Sequence, residues 1–248
     1  MDALTIAAAS GLQARMDSLE MLANNMANAA TDGYKTDREG YSLYLAPEAA
    51  PGREGNPFSE TLPVVERQWT DFSQGTLRST GNPLDLALSG SGFFAVNGPS
   101  GPLFTRNGGF QLSASGQLIT QEGYPVRAAG GKTIQATGSG ALEIATDGTV
   151  RQDGKVLGQL EVVNFSDSRA LAKAGKNYFQ NVNPASSPAP AANVEVHQGK
   201  LEGSNTNVAE SAVRLIGVMR QFEMLQKAIS MGGEMNRKAV EEVARVGS

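Results

Sequence analysis

The chain has 248 residues, enough for a substantial core, but aromatics make up only 6% of it and glycine supplies 29 residues, a balance that favours many short strands and turns over one large helical globule. A formal net charge of −4 with scattered Lys and Arg offers no basic face to a phosphate backbone, so nucleic acid is not an expected partner. There is no cysteine and a single histidine, which removes disulfides, thiolate chemistry and the usual zinc and iron ligands together.

The chain starts Met1-Asp2-Ala3-Leu4, with an acid where a secretory signal would be basic. No apolar run reaches the ~18 residues a transmembrane helix needs. Neither a cleavable signal nor membrane insertion is expected. Residues 4–28 carry a helical stripe in which Leu12, Leu19 and Met26 recur at seven-residue spacing, with Met16, Leu22 and Ala23 beside them. The helix should end before Thr31-Asp32-Gly33, which supplies a residue tolerant of positive φ. An N-terminal helical segment over residues 1–33 follows.

Residues 34–79 read as an extended connector with one or two short strands, because Pro47, Pro51, Pro57 and Pro63 interrupt any period. The stretch 47–60 has the composition of a disordered linker, whereas Val64–Trp69 alternates like a strand. Residues 80–200 alternate short strand-like runs with turn signals, among them Asn97-Gly98, Ser115-Gly116, Asp147-Gly148 and Asp153-Gly154. The expected fold class is therefore mainly β: a Gly-rich all-β central domain, sandwich or irregular barrel, flanked by two terminal α-helices that pair as a coiled coil.

The last segment, 201–248, holds the stronger stripe. Val208, Leu215, Phe222, Ile229, Asn236 and Val243 are spaced by seven, and Ser211, Val218, Leu225, Gly232, Ala239 and Val246 follow each by three. Asn207 is the expected N-cap, with Glu210 reaching back to complete a capping box. Burying such side chains contributes about 1.5–3 kcal/mol each, yet ordering backbone costs about 1–2 kcal/mol per residue, and Gly217, Gly232 and Gly233 each weaken the helix by about 1 kcal/mol. A stripe this narrow needs a partner, and both termini are expected to gain helix on assembly.

Chemistry is hard to find. His197 lies on an alternating run with no serine motif directed at it. Gly90-Ser91-Gly92-Phe93-Phe94-Ala95 fits a dinucleotide fingerprint only superficially, since a strand rather than a helix follows it. Asp85 is the one acid inside an apolar strand, and a hydrogen bond to a neighbouring turn is its expected role. No cofactor, metal or catalytic residue is assigned.

Five stretches are similar to those of a known family. Leu22-Ala23-Asn24-Asn25-Met26-Ala27-Asn28-Ala29-Ala30-Thr31-Asp32-Gly33-Tyr34-Lys35 resembles the N-terminal signature of the bacterial flagellar rod and hook proteins. Thr80–Phe94 resembles the start of their β domain, Phe104–Phe110 and Asp147–Val150 continue it, and Leu201–Val208 resembles the opening of their C-terminal helix. Within the family, Arg220-Gln221-Phe222-Glu223-Met224 is closer to the proximal than to the distal rod type.

The resemblance implies a structural subunit exported unfolded through the flagellar type III apparatus, without cleavage, into a rod that crosses the periplasm and transmits torque. Its partners would be copies of itself and other rod proteins, with peptidoglycan or surrounding ring proteins as further candidates. Leu12, Leu19, Leu22, Met26, Val208, Leu215, Val218, Phe222, Leu225 and Ile229 would form the assembly interface. Asn24, Asn25 and Asn28 would be polar, register-fixing contacts within it. The alternative of another class is a secreted β-domain binding module, such as an adhesin, that its helices oligomerise.

Overall fold

The computed structural model describes residues 3–45, 61–138, 140–175 and 177–246. The expected disordered linker at 47–60 lies outside the described residues. The chain divides into two compact units: Met1–Ala27, Asp37–Thr70 and Asn207–Ser248 form unit 1, and Asn28–Thr36 with Asp71–Thr206 form unit 2.

Unit 1 contains α1 (Ala3–Ala27), β1 (Asp37–Leu45), β2 (Thr61–Thr70) and α2 (Val208–Val246). The helices occupy the two striped segments, and α1 packs against α2 and against β2. In place of one or two short strands, the connector forms a long antiparallel hairpin, in register from Asp37↔Thr70 to Leu45↔Thr61 with a bulge at Gly40/Tyr41. The prolines that obscured it cluster in the segment between the strands, and Pro63 is tolerated near the start of β2.

Unit 2 is built on β3 (Leu77–Ser79), β4 (Leu86–Ser89), β5 (Phe93–Gly98), β6 (Gly101–Thr105) and a run of shorter strands. Its largest sheet is antiparallel and six-stranded, in the order Leu171–Lys173, Tyr178–Asn181, β6, β5, Val162–Asn164, Ala189–Pro190. The sheet is open, so the expected sandwich or irregular barrel is corrected to an open-sheet core flanked by small two- and three-stranded sheets. Its two edge strands are only two and three residues long, too short to pair into a closed ring.

The strand β5 shows why the sheet sits where it does. Side chains alternate faces along a strand, yet Phe93, Phe94, Ala95 and Val96 are all buried, so both faces must be covered. Phe94 and Val96 join a core with Leu86, Leu88, Phe110, Leu118, Ile134 and Val150. Phe93 and Ala95 join a second with Phe104, Phe165, Leu171 and Phe179. The turn residues also match their geometry: Asp153 (φ 48) and Gly154 (φ 75) close a two-residue hairpin between paired Gln152 and Lys155.

Because Phe94 is fully buried and stacks edge-on against Phe110 at 5.2 Å, Phe94→Ala should destabilise unit 2 by about 3–5 kcal/mol through the cavity it leaves. Urea denaturation of the full chain measures this; a loss below about 1 kcal/mol would remove Phe94 from the core.

Candidate functional site

No cluster of three His, Asp or Glu side chains among the described residues is placed to hold a metal ion. His197 is half-buried, with Nε2 3.7 Å from the Glu195 carboxylate. Asp85 accepts from Asn82 Nδ2 at 2.9 Å, a bond to the adjoining turn. Gly90 and Ser91 form a bend that leads into β5. Two other arrangements stand out: the helix faces of unit 1 and a buried ion cluster in unit 2.

On α2, Ser211 is buried and Leu215, Val218, Phe222, Leu225 and Ile229 are half-buried, alternating steps of four and three residues as a heptad stripe requires. Val208, at the head of that series, is exposed. Beyond Gly232 every α2 side chain that is described is exposed, Asn236 included. Asn207 caps the helix: its Oδ1 accepts from Glu210 N at 3.2 Å and its carbonyl from Ser211 N at 2.9 Å. The reciprocal bond expected from the Glu210 side chain is not formed among the described residues, where Glu210 is exposed.

The covered face of α1 is rotated from the one the leucine spacing indicates. Gly11, Ala14, Ser18, Met21, Leu22 and Asn25 are buried, whereas Leu12, Leu19 and Met26 are half-buried flanks and Met16 is exposed. Small residues let neighbouring elements approach closely, and Ser18 satisfies its hydroxyl on Ala14 O at 2.8 Å. Asn25 is tied to the start of β1, donating Nδ2 to Asp37 O at 2.8 Å and accepting from Asp37 N at 2.9 Å. Asn24 is exposed, and Asn28 lies outside α1, accepting from Thr31 Oγ1 at 3.3 Å.

In unit 2, Glu202 is fully buried and accepts at both oxygens. Oε1 receives Lys35 Nζ at 2.6 Å and Gly75 N at 2.8 Å, and Oε2 receives Arg106 Nη1 at 3.1 Å. Lys35 also donates to Ser73 O at 2.6 Å, and Arg106 Nη2 to Gly90 O at 2.6 Å, with its guanidinium over the Phe93 ring. Burial pushes the Lys35 ammonium and the Arg106 guanidinium below their ordinary values, while Glu202 opposes the shift through its charge and its hydrogen bonds. A side chain at Gly75 would run into the Gly203 carbonyl, so the approach of the 71–75 segment to Glu202 depends on glycine there.

Three residues further on, Asn205 ties the points where the chain leaves unit 2. Its Oδ1 accepts from Thr36 N at 2.8 Å and Thr36 Oγ1 at 2.9 Å, and its Nδ2 donates to Asp71 O at 2.8 Å. Thr36 and Thr206 share a hydroxyl bond at 2.6 Å, and Asp71 N donates to Thr36 O at 2.8 Å. Lys35 and Glu202 are 167 positions apart, a separation that no local pattern in the sequence reports. The available signal was that four of the quoted stretches supply Lys35, Gly90, Arg106 and Glu202, which meet here.

Three family models match separate stretches of the chain. Residues 7–35 match the family described as flagella basal body rod protein, 87–157 the flagellar hook protein FlgE/F/G D1 domain, and 197–242 the flagellar basal body rod FlgEFG protein C-terminal region. The flagellar basal-body rod protein FlgF of Caulobacter vibrioides is 32% identical over 92% of this chain and 92% of that protein. The chain belongs to the flagellar basal-body rod protein family. The rod protein FlgG of Buchnera aphidicola from Acyrthosiphon pisum is 31% identical over 92% and 95% of the two chains, and FlgG of Agrobacterium fabrum 34% over 95% and 97%. Membership makes the chain a structural protein of the flagellar basal body.

Glu202→Gln should destabilise the protein by about 3–5 kcal/mol, because it leaves two buried cations without their anion. Arg78→Ala, which breaks the solvent-exposed Arg78–Asp32 pair, should change stability by no more than about 1 kcal/mol. Chemical denaturation of both variants makes the comparison, and equal losses would mean that Glu202 is not the centre of the cluster.

Proposed function

We propose that the chain is a non-enzymatic subunit of the proximal, FlgF-type rod, exported without cleavage through the flagellar type III apparatus and polymerising with itself and other rod proteins to transmit torque across the periplasm. The observation that carries this reading is the heptad stripe from Ser211 to Ile229, the more covered face of α2, on a helix that packs against α1. The two helices pair as a coiled coil, and Leu215, Val218, Phe222, Leu225 and Ile229 hold the seam against Leu22 and its flanks Leu12, Leu19 and Met26. The domain roles follow: terminal segments 1–33 and 201–248 form the helical layer, 34–79 joins them to the β domain, and 80–200 is that domain. Peptidoglycan or the surrounding ring proteins are candidate neighbours of the β domain.

The distal, FlgG-type rod is the second reading, favoured by FlgG relatives of similar identity and coverage. The segment Arg220–Met224 supports the proximal type. Copy number separates the two. Quantitative mass spectrometry of purified hook–basal bodies should find a small fixed number of copies relative to the other rod subunits. A count several times larger would assign the chain to the distal rod, and absence from the particle would overturn the rod assignment.

The seam is tested by Phe222→Asp, which places a charge in the apolar stripe. Cells whose only copy carries it should lose swimming motility, while chemical denaturation of the purified variant should retain the unit 2 transition. Normal motility would sink the seam.

A further inference from the structure

We infer that a single water molecule is built into the interior of unit 2, bridging Arg106 Nε–H and the side-chain carbonyl of Asn177. The site lies within unit 2 and is independent of the rod reading. β6 and the strand Tyr178–Asn181 are antiparallel, with Thr105↔Tyr178 and Phe104↔Phe179 in register. Continued one position past the strand ends, that register sets Arg106 opposite Asn177, and Thr105 Oγ1 donates to Asn177 O at 2.8 Å at the same point. Side chains alternate faces along a strand, so these two share the face of Phe104 and Phe179. The Arg106 guanidinium does lie on that side, 5.4 Å over the ring of Phe93, which belongs to the same core. Arg106 is 3% and Asn177 7% exposed, too little for bulk solvent to reach their polar ends.

Each of the two side chains has one buried polar atom that no described residue satisfies, Arg106 Nε and Asn177 Oδ1. Neither can turn to find a partner elsewhere. The guanidinium plane is held by Nη1 on Glu202 and Nη2 on Gly90 O, and the amide is oriented by Nδ2 donating to Asp32 O at 2.9 Å. The unmet groups are one donor and one acceptor, and that polarity selects the occupant. A halide would accept from Nε–H but face the lone pairs of Oδ1, and a monovalent cation would suit Oδ1 but meet a buried guanidinium. Water accepts from one and donates to the other, removing the cost of leaving each unpaired among aromatic rings. The bridge completes a chain of hydrogen bonds from Glu202 through Arg106, the water and Asn177 to Asp32. The segment that carries Asp32 and Lys35 is thereby held at two points, by the ion pair at Lys35 and by the water-linked amide at Asp32.

The test observes the arginine Nε–H groups of the isotope-labelled full chain by NMR. The Arg106 Nε–H, assigned through its own side-chain carbons, should exchange with solvent at least tenfold more slowly than that of exposed Arg151. It should also show a rotating-frame Overhauser cross peak to water, with the sign of a molecule that tumbles with the protein. Asn177→Leu removes the acceptor and should abolish that cross peak. Exchange as fast as at Arg151 overturns the enclosed site, and slow exchange without a water cross peak means a direct Nε–H to Oδ1 bond and overturns the bridge. A cross peak unchanged in Asn177→Leu overturns Asn177 as the second partner. A crystal structure of the native full chain soaked in rubidium bromide needs no variant and reads the occupant directly. The expected result is one solvent peak about 2.7–3.2 Å from both atoms, without anomalous signal. A bromide or rubidium peak there would put an ion in place of the water and overturn the proposal.

Discussion

Unit 2 depends on one carboxylate. Glu202 is buried with no water-facing surface, and its two oxygens are answered by Lys35, Arg106 and the Gly75 amide. An uncompensated buried charge costs several kcal/mol, so none of these groups can occupy its place unless the others do. The requirement fixes four stretches of chain at one point: the segment after α1, the 71–75 segment, the end of β6 and the strand that precedes α2. The cluster is a poor source of net stability, since desolvation offsets much of the attraction. Its value lies in specificity, because an apolar junction would tolerate sliding, whereas oxygen and nitrogen atoms 2.6–3.1 Å apart do not.

Glycine and asparagine extend that constraint along the chain. Gly75 lets the 71–75 segment come close enough for its amide to reach Glu202, and Asn205 uses both ends of its amide to bind Thr36 and Asp71. An amide carries donors and acceptor in one rigid plane, so a single side chain can join two backbones without adding charge.

Much of the fold was legible because it is written locally. The helix bounds, the Asn207 cap and the Asp153-Gly154 hairpin each depend on residues a few positions apart. The β1–β2 hairpin was harder, since prolines between the strands broke the pattern and pairing is decided by partners far away in sequence. The face of α1 covered within the chain differs from the leucine line for a physical reason: leucine spacing marks where apolar area is largest, while close packing selects Gly11, Ala14 and Ser18. Asn25 was expected as a register-fixing contact of the helical layer, and its hydrogen bonds go to the Asp37 backbone at the start of β1. The ion cluster could not be read from spacing at all, although its members stood inside the stretches that carried the family resemblance.

The cluster lies only a few residues from the ends of the chain segments that make up unit 2. Lys35 is followed by Thr36 and then by the first residue of β1, and Glu202 precedes α2 by six positions, of which Asn205 and Thr206 are themselves hydrogen-bonded. Within unit 2 the buried ion cluster and the Asn205 network are therefore neighbours along the chain, and the charged hydrogen bonds of the cluster act in a low-dielectric interior, where they are strongest.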